Sequence, residues 1–237
     1  MILAAGRGER MGTLTHNRPK PLLEVGAESL IERHLRRLSE SGTTHVVINL
    51  SYRGEQIRTQ LGDGARWNLS INYSEEGEPP LETGGGIIRV LPRLGREPFL
   101  LINADVLTDF DFSALRLGDA SGVLVLAPNP AFRTHGDFGL DERSMVTQAP
   151  PSYTFTGVSM LDPALFEPFE PGRQPLKPIL DAAIARRALR GELHEGLWLD
   201  VGTQERLYEA RRLLGGPAVR QPVAKAPRGT GTGEAPA

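Results

Sequence analysis

The sequence contains no cysteine in 237 residues. That excludes a disulfide framework, Cys-ligated zinc, an iron–sulfur cluster and a thiol nucleophile. Any metal must then be held by carboxylate, carbonyl, imidazole or water ligands, which favours hard ions such as Mg2+. Nor is one sign of charge in excess: 27 Lys and Arg stand against 29 Asp and Glu, a formal charge of -2. A dedicated nucleic-acid binder needs clustered cations, so nucleic acid is not expected as a partner. No apolar run approaches the roughly 18 residues of a membrane span, and no basic segment followed by a longer apolar one opens the chain. No membrane association and a cytoplasmic location are therefore the expectations. There is also no repeated unit of the β-helix kind, and no G-x-S-x-G arrangement for acyl transfer.

What is present is an alternation of strand-like and helix-like segments over residues 1–216. Met1–Ala5, His45–Leu50, Leu69–Ser74, Phe99–Ile102, Gly122–Ala127, Thr154–Leu161 and Leu197–Val201 read as strands. Leu30 to Leu38 follows helical spacing and is stopped by Gly42, and Gly54–Leu61 predicts a short helix. Thr83 is placed to cap a helix through Leu91, Pro178–Leu189 predicts an amphipathic helix, and a closing helix runs from Gln204 to Leu214. Arg186, Arg187 and Arg190 fall on that amphipathic helix's polar face, and Trp198 is expected in the core. Strands alternating with helices imply βαβ units: an α/β fold with a largely parallel sheet covered on both faces. Ligands in such sheets gather at the carboxyl ends of the strands, where the motif-bearing loops here converge. From Pro217 to Ala237 the composition turns to Pro, Ala, Gly and Thr without an apolar face, which predicts a disordered tail behind a single domain.

The first chemical signal is Leu3-Ala4-Ala5-Gly6-Arg7-Gly8-Glu9-Arg10-Met11, followed by Pro19-Lys20-Pro21-Leu22. Small residues directly after a strand let backbone N–H groups approach phosphate oxygens, Arg7 can add a charge-assisted bond, and Lys20 a point charge. An ordinary strand-to-helix turn with solvated cations is the plain alternative. Prolines on both sides of Lys20, however, fix its backbone in a way that a solvated lysine does not need. Met11 occupies the third glycine position, so the dinucleotide fingerprint is not met.

The second signal is Asn103-Ala104-Asp105, just beyond a buried strand. There Asp105 can bind Mg2+ that bridges phosphates, and Asn103 can donate an amide bond to a sugar phosphate or ribose. Asp200 stands similarly after Leu197-Trp198-Leu199. A turn or helix-capping role fits all three equally simple patterns. Glu82, Thr83 and Gly84 precede a helix and offer backbone amides to a base and ribose, or form a glycine-rich turn with a Thr cap. Asp137, between glycines, reads by its surroundings as a turn former. Gly157 in a strand marks close approach of a ligand or of another backbone.

With those motifs in place, the chain resembles the sugar-phosphate nucleotidyltransferases, whose signature is a strand, L-A-A-G-x-G-x-R-M and then P-K-P. Within them, Leu81-Glu82-Thr83-Gly84-Gly85-Gly86-Ile87 looks like the N-acetylmuramate α-1-phosphate uridylyltransferases, as do Arg133–Leu140 and Trp198–Thr203. The usual R-M-R-P-L-T reads Arg10-Met11-Gly12-Thr13-Leu14-Thr15, so a basic residue and a proline are missing. The resemblance implies a Rossmann-like, glycosyltransferase-A-like fold: a mixed, mostly parallel sheet flanked by helices in a three-layer sandwich. It implies an enzyme that takes a nucleoside triphosphate, UTP favoured, and an amino-sugar 1-phosphate, with Lys20, Arg7 and Asp105 catalytic. Ala4, Ala5, Gly6, Arg7, Gly8, Lys20, Glu82, Thr83, Gly84 and Asn103 are the nucleotide contacts so implied. Asn103, Asp137, Gly139, Thr156 and Gly157 are the sugar-phosphate contacts, and Asp105 with Asp200 ligates the cofactor Mg2+. Rivals are a mannose-1-phosphate guanylyl- or glucose-1-phosphate thymidylyltransferase, and a non-catalytic sugar-nucleotide-binding regulator. Without an appended β-helix domain, a monomer is expected.

Overall fold

A computed structural model describes residues 1–130 and 133–215 of the chain. The tail expected at residues 217–237 lies outside the described residues. Eleven strands occur in the order β1 (Ile2–Leu3), β2 (His45–Leu50), β3 (Ser70–Glu75), β4 (Phe99–Asn103), β5 (Val106–Thr108), β6 (Gly122–Pro128), β7 (Gly139–Leu140), β8 (Val146–Thr147), β9 (Tyr153–Leu161), β10 (Leu189–Leu193) and β11 (Trp198–Asp200). Five α-helices separate them: α1 (Leu30–Glu40), α2 (Gly54–Leu61), α3 (Glu82–Leu94), α4 (Lys177–Ala185) and α5 (Gln204–Leu213).

Seven of the strands form one sheet in the order β10-β6-β9-β4-β1-β2-β3. All its pairings are parallel except those of β9, which runs antiparallel between β4 and β6. The expected mixed, mostly parallel sheet is therefore found. Alternate residues of each strand feed opposite faces. Ile48, Ile102, Val123 and Val125 pack with Ile31 and Leu35 of α1 and Ile57 of α2. Val47, Leu101 and Leu124 face Ile87 and Val90 of α3 and Ile179 and Ala183 of α4. Helices on both faces give the three layers. A third, smaller cluster joins Met11, Leu23 and Leu30 to Leu199, Val201 and Leu207, and so seats α5 and β11 beside the end of β1.

Local chemistry sets the boundaries. Ser29 and Glu32 form a reciprocal capping box that starts α1, and the Thr203 side chain accepts a bond from the Arg206 amide at the start of α5. Three expectations are corrected. The first strand is two residues long, not five. Thr83 is not a cap: α3 begins at Glu82, the preceding Leu81 offers no side-chain oxygen, and Thr83 lies inside the first turn. The helix expected to reach Leu189 ends at Ala185, because Arg187 takes a left-handed conformation (φ 55°) and Leu189 opens β10. Arg190 is thus a strand residue. Trp198 is only partly buried, with its indole N–H donating to the Thr156 carbonyl at 2.9 Å. Among the described residues no helix is long and apolar enough to cross a membrane.

Candidate active site

The carboxyl ends of β1, β2 and β4 open into a cleft of about 670 Å³. The loop after β1 forms one wall. Ala4 and Ala5 are buried, whereas Gly6 is exposed, and a methyl group at Gly6 would meet no atom within 4 Å. Its φ is not positive, so neither backbone strain nor packing explains a glycine there. What a side chain at Gly6 would fill is the cleft itself. Gly8 has a different reason: its φ of 66° is left-handed, and a Cβ would come within 3.1 Å of Lys20 Cβ and Thr15 Cγ2.

Lys20 stands in a single 3-10 turn (Lys20–Leu22) between Pro19 and Pro21, as the proline bracket suggested. Its side chain is 8% exposed, and its ammonium donates to Asp105 Oδ2 at 2.5 Å. Asp105 follows the end of β4 through the Asn103-Ala104 turn and leads into β5. β5 pairs antiparallel with β11, so that Asp200 faces Val106 and the Val201 amide donates to the Asp105 carbonyl at 2.9 Å. Two carboxylates far apart in sequence therefore sit at neighbouring strand ends. Asp200 Oδ2 accepts from Arg206 Nη1 at 2.7 Å, and the Gly202 that lines the cleft lies against both Asp200 oxygens and Arg10 Nη2.

This donor set suits a hard dication. Among the described residues no three His, Asp or Glu side chains cluster. Asp105 lines the cleft, whereas Asp200 does not line it and stands behind Gly202; both carry the carboxylate oxygens that Mg2+ prefers. Each carboxylate is matched by a cation, Lys20 on Asp105 and Arg206 on Asp200.

The opposite wall comes from the segment after β3 and the start of α3. Glu82 holds a left-handed φ of 61°, a strained conformation for a non-glycine residue, and is ion-paired with Arg173 at 2.8 Å. Across the mouth Arg7 Nη2 reaches Glu78 Oε2 at 2.8 Å. The cleft thus brings together Ala4, Ala5, Gly6, Arg7, Gly8, Lys20, Glu82, Thr83, Asn103 and Asp105. Gly84 is not on its surface. A Cβ at Gly84 would press on the Gln174 and Pro175 carbonyls, and one at Gly85 would overlap the Gly172 carbonyl. These two glycines admit the 172–175 segment, which is tied to α3 by the Gly85 amide donating to the Gln174 carbonyl and the Gln174 amide to the Leu81 carbonyl, both at 2.9 Å.

Most of the expected sugar contacts are engaged by other parts of the chain. Thr156 is buried, its hydroxyl donating to the Val125 carbonyl at 2.7 Å. Asp137 accepts two bonds from Arg133, at 2.6 and 3.1 Å, and one from the Phe155 amide at 2.9 Å. Gly139 is small because a Cβ would strike Pro150 and Thr147. Of the expected sugar contacts only Asn103 lines the cleft; Gly157, at φ 79°, packs behind it, and a Cβ there would overlap the Asn103 amide.

Three cleft residues escaped sequence reasoning. Arg10 lines the cleft and makes no hydrogen bond or ion pair with the described residues. Asn49 and Glu76 also line it, and both are buried. For Arg10 the L-A-A-G-x-G-x-R string was itself the signal. For Asn49 the only trace is a polar residue near the end of an otherwise apolar strand.

Residues 1–120 match the nucleotidyl transferase family model. Over 91% of its length the chain is also 45% identical to the N-acetylmuramate α-1-phosphate uridylyltransferase of Neisseria meningitidis, covering 97% of that protein. The chain belongs to the nucleotidyl transferase family. A second uridylyltransferase of the same description, from Caulobacter vibrioides, is 31% identical over 90% of this nucleotidyl transferase and 96% of its own length. The mannose-1-phosphate guanylyltransferase of Mycobacterium tuberculosis is 28% identical, and the match spans 61% of that longer protein. Among solved structures, a Bacillus anthracis protein described as a glucose-1-phosphate thymidylyltransferase superposes with a TM-score of 0.80 at 21% identity, over 90% of this chain and 93% of that one. That likeness establishes the family's fold.

Proposed function

We propose that this nucleotidyl transferase moves the uridylyl group of UTP onto N-acetylmuramic acid α-1-phosphate, giving UDP-N-acetylmuramic acid and pyrophosphate. The observation that carries the choice of substrates is the end-to-end 45% identity with the Neisseria meningitidis uridylyltransferase. On this reading the reaction serves peptidoglycan recycling.

The cleft's own residues supply the chemistry such a transfer needs. An oxygen of the sugar phosphate bonds to the α-phosphorus, the bond from that phosphorus to the bridging oxygen breaks, and pyrophosphate leaves with the electron pair. Both reactants are anions, so bringing them together is chiefly a matter of neutralising and orienting charge. Gly6 leaves room for the triphosphate against the backbone of the loop. Arg10, which has no partner among the described residues, and Arg7, held at the mouth by Glu78, face the same space. Lys20 is pre-positioned by its two prolines and its burial, so little side-chain entropy remains to be lost when it meets a phosphate oxygen. Asp105 and Asp200 would hold Mg2+, which supplies charge neutralisation between the two phosphates when bound. No general base is required, because the attacking phosphate is already ionised near neutral pH. Asn103, backed by Gly157, offers its amide to the sugar phosphate or ribose.

The test is a substrate panel: each nucleoside triphosphate against several sugar 1-phosphates, with and without Mg2+, scored by pyrophosphate release. UTP with N-acetylmuramic acid α-1-phosphate should be the preferred pair and should require the metal. Preference for GTP with mannose 1-phosphate, or for TTP with glucose 1-phosphate, would replace the proposed substrates.

A further inference from the structure

The two cleft walls are joined by a single buried side-chain relay. Asn49, 3% exposed near the end of β2, accepts a bond from the Ala4 amide through Oδ1 at 2.8 Å. Its Nδ2 donates to Glu76 Oε1 at 2.7 Å. The second oxygen of Glu76 accepts from the Leu81 amide at 3.0 Å. Gly86, the last of the three glycines, lacks a side chain at the point where a Cβ would overlap Glu76 Oε1 and come within 3.1 Å of Asn49 Nδ2. The relay therefore runs from the backbone that begins the glycine loop to the backbone that begins α3. Both side chains line the cleft between those two ends.

The donor polarity restricts the pair to one amide facing one carboxylate. The Ala4 and Leu81 amides can only donate, so the relay needs an acceptor at each end and one donor in the middle. An amide at position 49 facing a carboxylate at position 76 satisfies this completely. We propose that Asn49 and Glu76 are positioning residues that set the separation between the phosphate-holding loop and the Glu82-Thr83 turn, and thereby the fit of the nucleoside triphosphate. This rests on the nucleotidyl-transfer reading. The relay touches neither Asp105 nor the Asn103–Gly157 side of the cleft, so its loss should weaken the nucleotide and spare the sugar phosphate.

A double-variant cycle tests it. Asn49→Asp sets two carboxylates against each other. Glu76→Gln sets two amides in line, so that whichever way they turn, one donor faces another donor. The double variant Asn49→Asp/Glu76→Gln reverses the middle bond yet restores an acceptor for Ala4, an acceptor for Leu81 and the original net charge. Each single change should raise the UTP KM about tenfold, the scale of one charge-assisted bond left unmade, while the sugar-phosphate KM moves less than about threefold. The double variant should return the UTP KM to within about threefold of the parent. Thermal midpoints of all four proteins are recorded alongside. A double variant that regains its midpoint but not its UTP KM overturns the inference, as do single variants whose sugar-phosphate KM rises as much as the UTP KM. If the parent protein binds UTP but converts no sugar phosphate, the reaction reading fails. The inference is then judged on the UTP Kd across the same four proteins, with the same fold-changes expected.

Discussion

At the scale of single residues, the proposed reaction divides the cleft into side chains that hold the fold and side chains that would meet the nucleotide. Lys20 and Asp105 belong to both groups. Lys20→Met keeps the aliphatic stem and removes the charge, and kcat should fall about 10²–10³-fold while the sugar-phosphate KM changes little. Asp105→Ala should cost stability as well. It leaves an 8%-exposed ammonium without its counter-ion, a loss toward the lower end of about 3–5 kcal/mol because Asp105 itself is one-third exposed. Both expectations are checked by steady-state kinetics paired with thermal melts. Gly6→Ala discriminates further. The added methyl meets no protein atom, so the melting temperature should hold or rise slightly, whereas UTP affinity should drop. Unchanged UTP affinity in that variant would mean that the triphosphate lies elsewhere. These residues were legible in the sequence because each follows a strand or sits between prolines. Asn49 and Glu76 were not, since their partners are backbone groups that only the assembled sheet brings within reach.

At the scale of elements, the glycine run of α3 shows that a family motif also answers to packing. Leu81–Ile87 marked the family, yet of its glycines two make room for the 172–175 segment and one for Glu76. Gly85→Ala should drive that segment off the helix, break the bond to Gln174 and lower stability by about 1–3 kcal/mol, measured by denaturant unfolding. β2 and α2 were readable to the residue because apolar runs and glycines bound them. β10 was not. Leu180 through Leu189 keeps an apolar rhythm across the true boundary, and the turn is made by arginines, with no glycine or proline to announce it. The pairing of β5 with β11 was equally invisible in its detail, although it is what carries Asp200 to Asp105.

At the scale of the whole molecule, stability should fall away in acid from groups whose pKa folding lowers, among them the Met1 amino group, pushed down by burial to about 5, then His34 and Glu32. Burial, aided by the nearby Arg37 charge, lowers the His34 pKa from 6.5 to about 4. The unfolded chain takes up that proton first, so stability is lost as pH falls from 6.5 toward 4, at up to about 1.4 kcal/mol per pH unit. For Glu32, burial alone would raise the pKa, but bonds from Ser29, Gln60 and Arg66 outweigh it and bring 4.5 down to about 2. The stability that this carboxylate contributes is present above pH 4.5 and is lost as pH falls through about 2. His34→Phe should reduce the slope of urea-derived stability between pH 6.5 and 4, leaving the contribution of the Met1 amino group above pH 5 and the Glu32 window in place, which checks the assignment. On the proposed reaction, activity depends on the two sheets together, because the segments after β1, β4 and β11 all contribute to one cleft. The most direct measurement is therefore the fate of label in UTP marked at its α-phosphate and incubated with N-acetylmuramic acid α-1-phosphate. Nucleotidyl transfer predicts that all converted label appears in the sugar nucleotide and none in pyrophosphate. Label released as free UMP, or absent from any sugar product while UTP is consumed, would contradict it.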